Sequence, residues 1–170
     1  IDILRDDQKQ IADLFTERED PLFGRNVYWF WESKGGWGKS ILCKYMIDHM
    51  DAFVCEGANN DILCGIASYI EKNGECPPII IFDIPRVNQG GVSYQAIEKL
   101  KNGYFFSGKY ESGMVRFNSP HVIVFSNESP DWDKLSADRW RVRNLRNDLD
   151  LMTISDEDGE EPDGIINTHF

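Results

Sequence analysis

The chain has 170 residues, of which 41% are hydrophobic, 12% aromatic and 28% charged. One domain of ordinary size fits this length, with a core that needs no disulfide or metal staples. The composition excludes wholesale disorder, and no apolar run approaches the ~18 residues of a membrane span. The net charge of −11 argues against a broad basic face for duplex nucleic acid, but not against a small basic element repeated in a ring of copies. The acidity is uneven. Residues 151–170 carry Asp156, Glu157, Asp158, Glu160, Glu161 and Asp163 with no Lys or Arg, and are predicted to be a loose acidic tail. No signal peptide opens the chain, and a start at Ile1 rather than Met predicts a piece of a longer protein. Cys43, Cys55, Cys64 and Cys76 form no CxxC pair, so they are read as reduced, intracellular thiols.

Residues 4–18 put Leu4, Ile11, Leu14 and Phe15 on one helical face, and Asp20-Pro21 breaks that helix. The solid apolar run VYWFW, residues 27–31, suits a buried parallel strand. A glycine-rich turn follows, then a helix over 41–50 and a short strand over 52–55. Residues 61–72 predict a helix closed by Asn73-Gly74. IIIFD at 79–83 is the clearest strand. Ser93 caps a helix that runs through Lys101 and ends at Asn102-Gly103. Residues 104–117 have the β-prone, glycine-punctuated pattern of a hairpin, and HVIVFSN at 121–127 predicts another buried strand. The Arg- and Trp-rich stretch 130–146 is assigned no element. Alternating strands and helices predict an α/β fold with a mainly parallel sheet.

The turn between the first strand and its helix reads Ser33-Lys34-Gly35-Gly36-Trp37-Gly38-Lys39-Ser40. This is the position of a phosphate-binding loop, whose small residues let backbone N–H groups close around phosphate oxygens. Lys39 would neutralise the β- and γ-phosphates of ATP, and Ser40 would put its hydroxyl on Mg2+. The pattern GxxxxGKS wants glycine where Ser33 stands, and Glu32 brings a negative charge beside the loop. Asp83, at the carboxyl end of IIIFD, is the candidate magnesium-side carboxylate, against the plain alternative of a loop-starting acid. Asn127 ends the third strand, where an amide can orient the attacking water; its plain alternative is local backbone satisfaction. Trp37 has no assigned role.

These elements resemble a known family. The order of the phosphate loop, FDIPR at 82–86, KNG and SGKYES at 101–112, a strand ending SN, and SADRW at 136–140 is similar to the superfamily 3 helicase domain of replication initiator (Rep) proteins from circular single-stranded DNA viruses, nanovirus-like and related. The resemblance runs over about residues 4 to 146. It implies a P-loop, AAA+-like three-layer core at 21–150, with a β-hairpin insertion and a helical segment at 1–20 as a possible oligomerisation element. It implies ATP and Mg2+ as cofactors, a homo-oligomeric and usually hexameric ring, single-stranded DNA as partner, no membrane, and rolling-circle replication inside the host cell, in its nucleus. Carried over, Lys39 and Ser40 match Walker A, Asp83 Walker B, Lys109 the lysine of the channel hairpin, Asn127 motif C and Arg139 the arginine finger. Ile84 stands where many ATPases place a second acid, which leaves Glu56 and Glu98 as distant candidate bases. A nicking domain, with its His-hydrophobe-His motif, is absent from the sequence. Beside the resemblance stands a physical reading of the hairpin, in which Lys109 neutralises a phosphate, Tyr110 stacks on a base, and Arg116 lies close by. Of the arginines 139, 141, 143 and 146, Arg141 is the reserve finger, and ordinary surface charge or acid-pairing within the subunit is the alternative. A viral RNA helicase and a nucleotide-dependent assembly or packaging ATPase without unwinding remain open.

Overall fold

The computed structural model describes residues 3–56, 58–84, 92–108 and 113–147, together with the backbone of 151–154 and 165–168. The sheet is built on β1 (Val27–Trp31), β2 (Ala52–Cys55), β3 (Ile79–Asp83), β6 (His121–Ser126) and β7 (Trp140–Asn144). These five strands run parallel in the order β2-β3-β6-β1-β7. Two further strands, β8 (Leu151–Ile154) and β9 (Ile165–Thr168), pair antiparallel beyond β7. They lie in the segment expected as a loose tail, which at its two ends is therefore strand. β4 (Tyr104–Phe106) and β5 (Met114–Arg116) form a separate antiparallel hairpin. The α/β, mainly parallel architecture expected from the sequence is the architecture observed.

The apolar runs are explained by two-sided burial. Val27 and Trp29 of β1, Ile80 and Phe82 of β3, and Val122 and Val124 of β6 point into one core. Tyr28 and Phe30, Ile79 and Ile81, and Ile123 and Phe125 point into the other. A strand covered on both faces gains by being apolar at every position. Helices α3 (Asn59–Asn73) and α4 (Tyr94–Asn102) cover the first face with Ile62, Leu63, Ile66, Ile97 and Leu100. Helices α1 (Asp6–Asp13) and α2 (Lys39–Met50) cover the second with Ile11, Ala12, Leu42 and Met46. The result is three layers. Cys43, Cys55 and Cys76 are buried free thiols, pushed up to about 12 mainly by desolvation, so they act as small apolar fillers.

β7 is the parallel strand the sequence did not reveal. In WRVRN, Trp140 and Val142 enter the first core, and arginines occupy the alternate positions. Trp140 sits edge-on to Trp29 and to Trp132, with ring centroids 6.0 and 5.9 Å apart. Its indole N–H donates to the Trp132 carbonyl at 3.1 Å. Two short 3-10 turns, Trp132–Lys134 and Ala137–Arg139, lead into this strand.

In the hairpin, Phe105 and Val115 face the core, while Tyr104, Phe106 and Met114 are exposed. Lys109 and Tyr110, assigned to its tip, and the Pro85-Arg86 pair of FDIPR lie outside the described residues.

Candidate functional site

The carboxyl ends of β1, β6 and β3 lie side by side, and ligands of open α/β sheets gather at such ends. Residues 32–38 leave β1 as an irregular loop and α2 begins at Lys39. Three glycines give the loop its path, with φ of 83° at Gly35, 76° at Gly36 and 102° at Gly38. Side-chain-bearing residues rarely take such angles. The GGxG spacing therefore encodes a backbone that doubles back on itself before the helix starts.

Lys39 projects into this loop and donates to Glu32 Oε1 at 2.8 Å, with the Ser126 carbonyl at 3.4 Å. Glu32, on the second-core side of β1's end, is almost fully buried. It accepts from the backbone N–H of Lys34 at 3.0 Å and of Gly35 at 2.9 Å. Its second cation is Arg146, whose Nε lies 3.1 Å from Oε2 and whose Nη2 donates to the Gly35 carbonyl. Desolvation alone would raise the Glu32 pKa, but the bonds from Lys39, Arg146 and Gly35 bring it down to about 2. The carboxylate that the loop pattern does not call for is thus an ionised strut inside the loop.

Asp83 ends β3, in register with Phe125 of β6. Burial raises its pKa, the charge of Lys39 lowers it and that of Glu56 raises it, so all three groups share one electrostatic neighbourhood. Asn127 follows β6 directly, and Ser40 is exposed in the first turn of α2. Lys39, Asp83 and Asn127 are therefore brought to one edge of the sheet. Of the two candidate bases, Glu56 lies toward that edge. Glu98 acts instead on Arg139.

Arg139 is not brought there. It is 6% exposed and precedes Trp140, which pairs with Val27 at the start of β1, whereas the loop follows Trp31 at its end. A strand of roughly 15 Å separates the two positions. Its Nε and Nη1 have no hydrogen-bond partner among the described residues, and desolvation lowers its pKa. Arg141 is half-buried, with Nη1 donating to the Trp140 carbonyl at 2.8 Å.

The residues the sequence did not single out lie at the start of α1. Arg5 Nη2 donates to the Trp37 carbonyl at 2.7 Å, and the guanidinium lies 5.1 Å from the centre of the Trp37 ring. Gln8 Nε2 donates to the Gly38 carbonyl at 3.1 Å, while its Oε1 accepts from Arg5 N at 2.9 Å. Any Cβ at position 38 would sit 2.5 Å from Gln8 Nε2, so glycine there serves contact as well as angle. Trp37 now has a place: it is buried in the second core and ties the loop to α1. The apolar face of residues 4–18 announced a helix here, but nothing in it pointed to the loop.

Among the described residues no three His, Cys, Asp or Glu side chains gather as a metal site, and no helix is long and apolar enough to cross a membrane. No protein-family profile matches the chain. The chain is 37% identical over 138 residues to the Para-Rep C1 protein of Faba bean necrotic yellows C1 alphasatellite, covering 80% of this chain and 46% of that one. It is 33% identical over 130 residues to the master replication protein of Faba bean necrotic yellows virus, covering 76% and 42%. For the master replication protein of Banana bunchy top virus the identity is 32% over 118 residues, covering 69% and 39%. The chain thus spans less than half the length of these relatives. Its homologues are the replication proteins of nanoviruses and alphasatellites.

Proposed function

We propose that the chain is the ATP-dependent DNA helicase module of a viral replication initiator, a superfamily 3, AAA+-like ATPase that works as a ring. The observation that carries this reading is the glycine-shaped loop with Lys39 at its mouth, flanked by Asp83 and Asn127 at the ends of adjacent strands. The names of the relatives support the replication role.

In this reading Lys39 and the loop N–H groups beyond Gly35 hold the β- and γ-phosphates of ATP. Ser40 and Asp83 offer the oxygen donors that Mg2+ prefers, one carboxylate and one hydroxyl beside phosphate oxygens, and the half-buried Asp83 fits that demand for positive charge. Bound there, the ion would neutralise phosphate charge. Asn127 orients the attacking water, and Glu56 is the better placed of the two candidate bases. Arg139, or Arg141 in its stead, acts on a neighbouring subunit's nucleotide. Because Arg139 is buried within its own chain, assembly has to uncover it. Lys109 and Tyr110 on the hairpin track single-stranded DNA in the channel of a hexameric ring, and the site of action is the host nucleus. Residues 1–20 act as an assembly element, 21–150 as the ATPase core and the acidic 151–170 as an appendage.

The test measures ATP turnover with and without single-stranded DNA or RNA, strand separation, and particle mass with ATP. DNA-stimulated turnover, unwinding and a ring-sized particle are expected. Stimulation by RNA alone would replace the substrate. Rings that hydrolyse ATP without separating strands would favour an assembly or packaging ATPase.

A further inference from the structure

Glu32 is 1% exposed, yet it is charged. A carboxylate this deep persists because two cations and two backbone N–H groups compensate it. The cations are more accessible than the acid they serve. The side chain of Lys39 is 16% exposed and that of Arg146 is 36% exposed, against 0% for Glu32. Arg146 reaches the loop from just beyond β7 and also donates to the Gly35 carbonyl, so its guanidinium is fixed against the loop's own backbone. An anion arriving at the loop therefore meets Lys39 and Arg146 together. A terminal phosphate brings about two negative charges and three acceptor oxygens, more than one carboxylate can offer the same pair.

We propose that Glu32 and the terminal phosphate of a nucleoside triphosphate compete for Lys39 and Arg146, and that Arg146 is a phosphate-contacting residue supplied by the same chain. The proposal rests on the nucleotide-binding reading above. It gives the loop a built-in counter-anion. When the phosphate takes the two cations, Glu32 keeps the N–H groups of Lys34 and Gly35. When the phosphate leaves, the carboxylate takes the cations back, and no buried charge stands alone. The exchange favours ligands whose outermost phosphate reaches both cations, which a triphosphate does and a diphosphate does not.

The test is a titration of wild type, Arg146→Ala and Glu32→Gln with a slowly hydrolysed ATP analogue and with ADP, alongside melting curves. Arg146→Ala should weaken the ATP analogue about tenfold and ADP less than threefold, with little change in melting. Glu32→Gln keeps an acceptor for the two backbone N–H groups but releases the cations, and should tighten the analogue about tenfold. Unchanged analogue binding by Arg146→Ala overturns the proposal, as does equal or weaker binding by a folded Glu32→Gln. If Glu32→Gln does not fold, the triphosphate-to-diphosphate split of Arg146→Ala decides. A wild type that binds neither nucleotide would overturn the phosphate-loop reading and this proposal with it, whereas normal wild-type binding with an unaffected Arg146→Ala overturns this proposal alone.

Discussion

The two ends of the sheet carry the same device for different ends. At the carboxyl edge, Glu32 bridges Lys39 and Arg146. At the amino edge, Glu19 holds Lys101 at 2.9 Å and stands 3.8 Å from His121. A Cβ at Gly24 would lie 2.3 Å from Glu19 Cγ, as one at Gly38 would clash with Gln8. The difference is in what holds the cations. The side chain of Lys101 is 1% exposed and also donates to the Pro120 carbonyl at 2.8 Å, while its own carbonyl accepts from Ser119. It belongs to α4 and is clamped from every side. Lys39, the first residue of α2, and Arg146, just beyond β7, are partly open to solvent. An ion pair shut away from solvent in this way is a structural brace. The same pair at the carboxyl end of parallel strands, held by a loop, has partners it can exchange.

This contrast predicts a double dissociation. Lys39→Ala should cut ATP turnover by roughly 10²–10³ or more, since single electrostatic contacts of this kind are worth about 3–4 kcal/mol in the transition state. Its melting temperature should move little, because Glu32 retains Arg146 and two backbone donors. Equal losses of turnover and stability would erase the distinction between the two ends.

Lys101→Met should do the reverse. Removing one partner of a buried pair leaves Glu19 uncompensated and costs about 3 kcal/mol in a urea melt. Nucleotide affinity of the folded fraction should change less than twofold. A large affinity change would mean that the amino edge communicates with the loop.

The effect of Arg5→Ala should be smaller and confined to the upper end. Losing one hydrogen bond to the Trp37 carbonyl is worth roughly 1–2 kcal/mol. Amide exchange in residues 33–38 should quicken, and nucleotide binding should weaken several-fold. Unchanged exchange would show that the loop holds its path without α1.

The smallest effect is in the acid limb of stability. Burial lowers the pKa of His121, against the pull of the Glu17 carbonyl and Glu19. The unfolded chain therefore binds the extra proton first, and stability falls as pH drops through 6.5, the ordinary histidine value. Glu32 is shifted in the same direction, from 4.5 to about 2, so its contribution is lost only as pH falls through that lower window. His121→Gln should remove the upper step and leave the lower one. If both steps persist, the upper one has another origin.

Much of the fold was legible because its signals are local. Burial on both faces forces VYWFW, IIIFD and HVIVF to be apolar throughout, and Asn-Gly pairs end α3 and α4 where left-handed backbone is needed. β7 was hidden because its arginines alternate with Trp140 and Val142, and only the sheet shows which side each residue takes. The strands in 151–170 were hidden by a composition dominated by the acids between them.

For the site, the sequence by itself determined the backbone path of the loop. Glycine spacing dictates backbone angles within a few residues, and Lys39 and Ser40 follow at the helix start. It also determined that Asp83 and Asn127 end strands, because strand ends are marked by the change from apolar to polar residues. Only the tertiary structure decided which charges meet. Glu32 pairs with Arg146 across 114 positions of sequence, and Arg5 reaches Trp37 across 32. Arg139 and Arg146, seven positions apart in one basic stretch, were parted by the length of β7, which carries one to the amino edge and the other to the loop. Ion pairing depends on distance and burial in three dimensions, and neither is a property of a residue's neighbours in the chain.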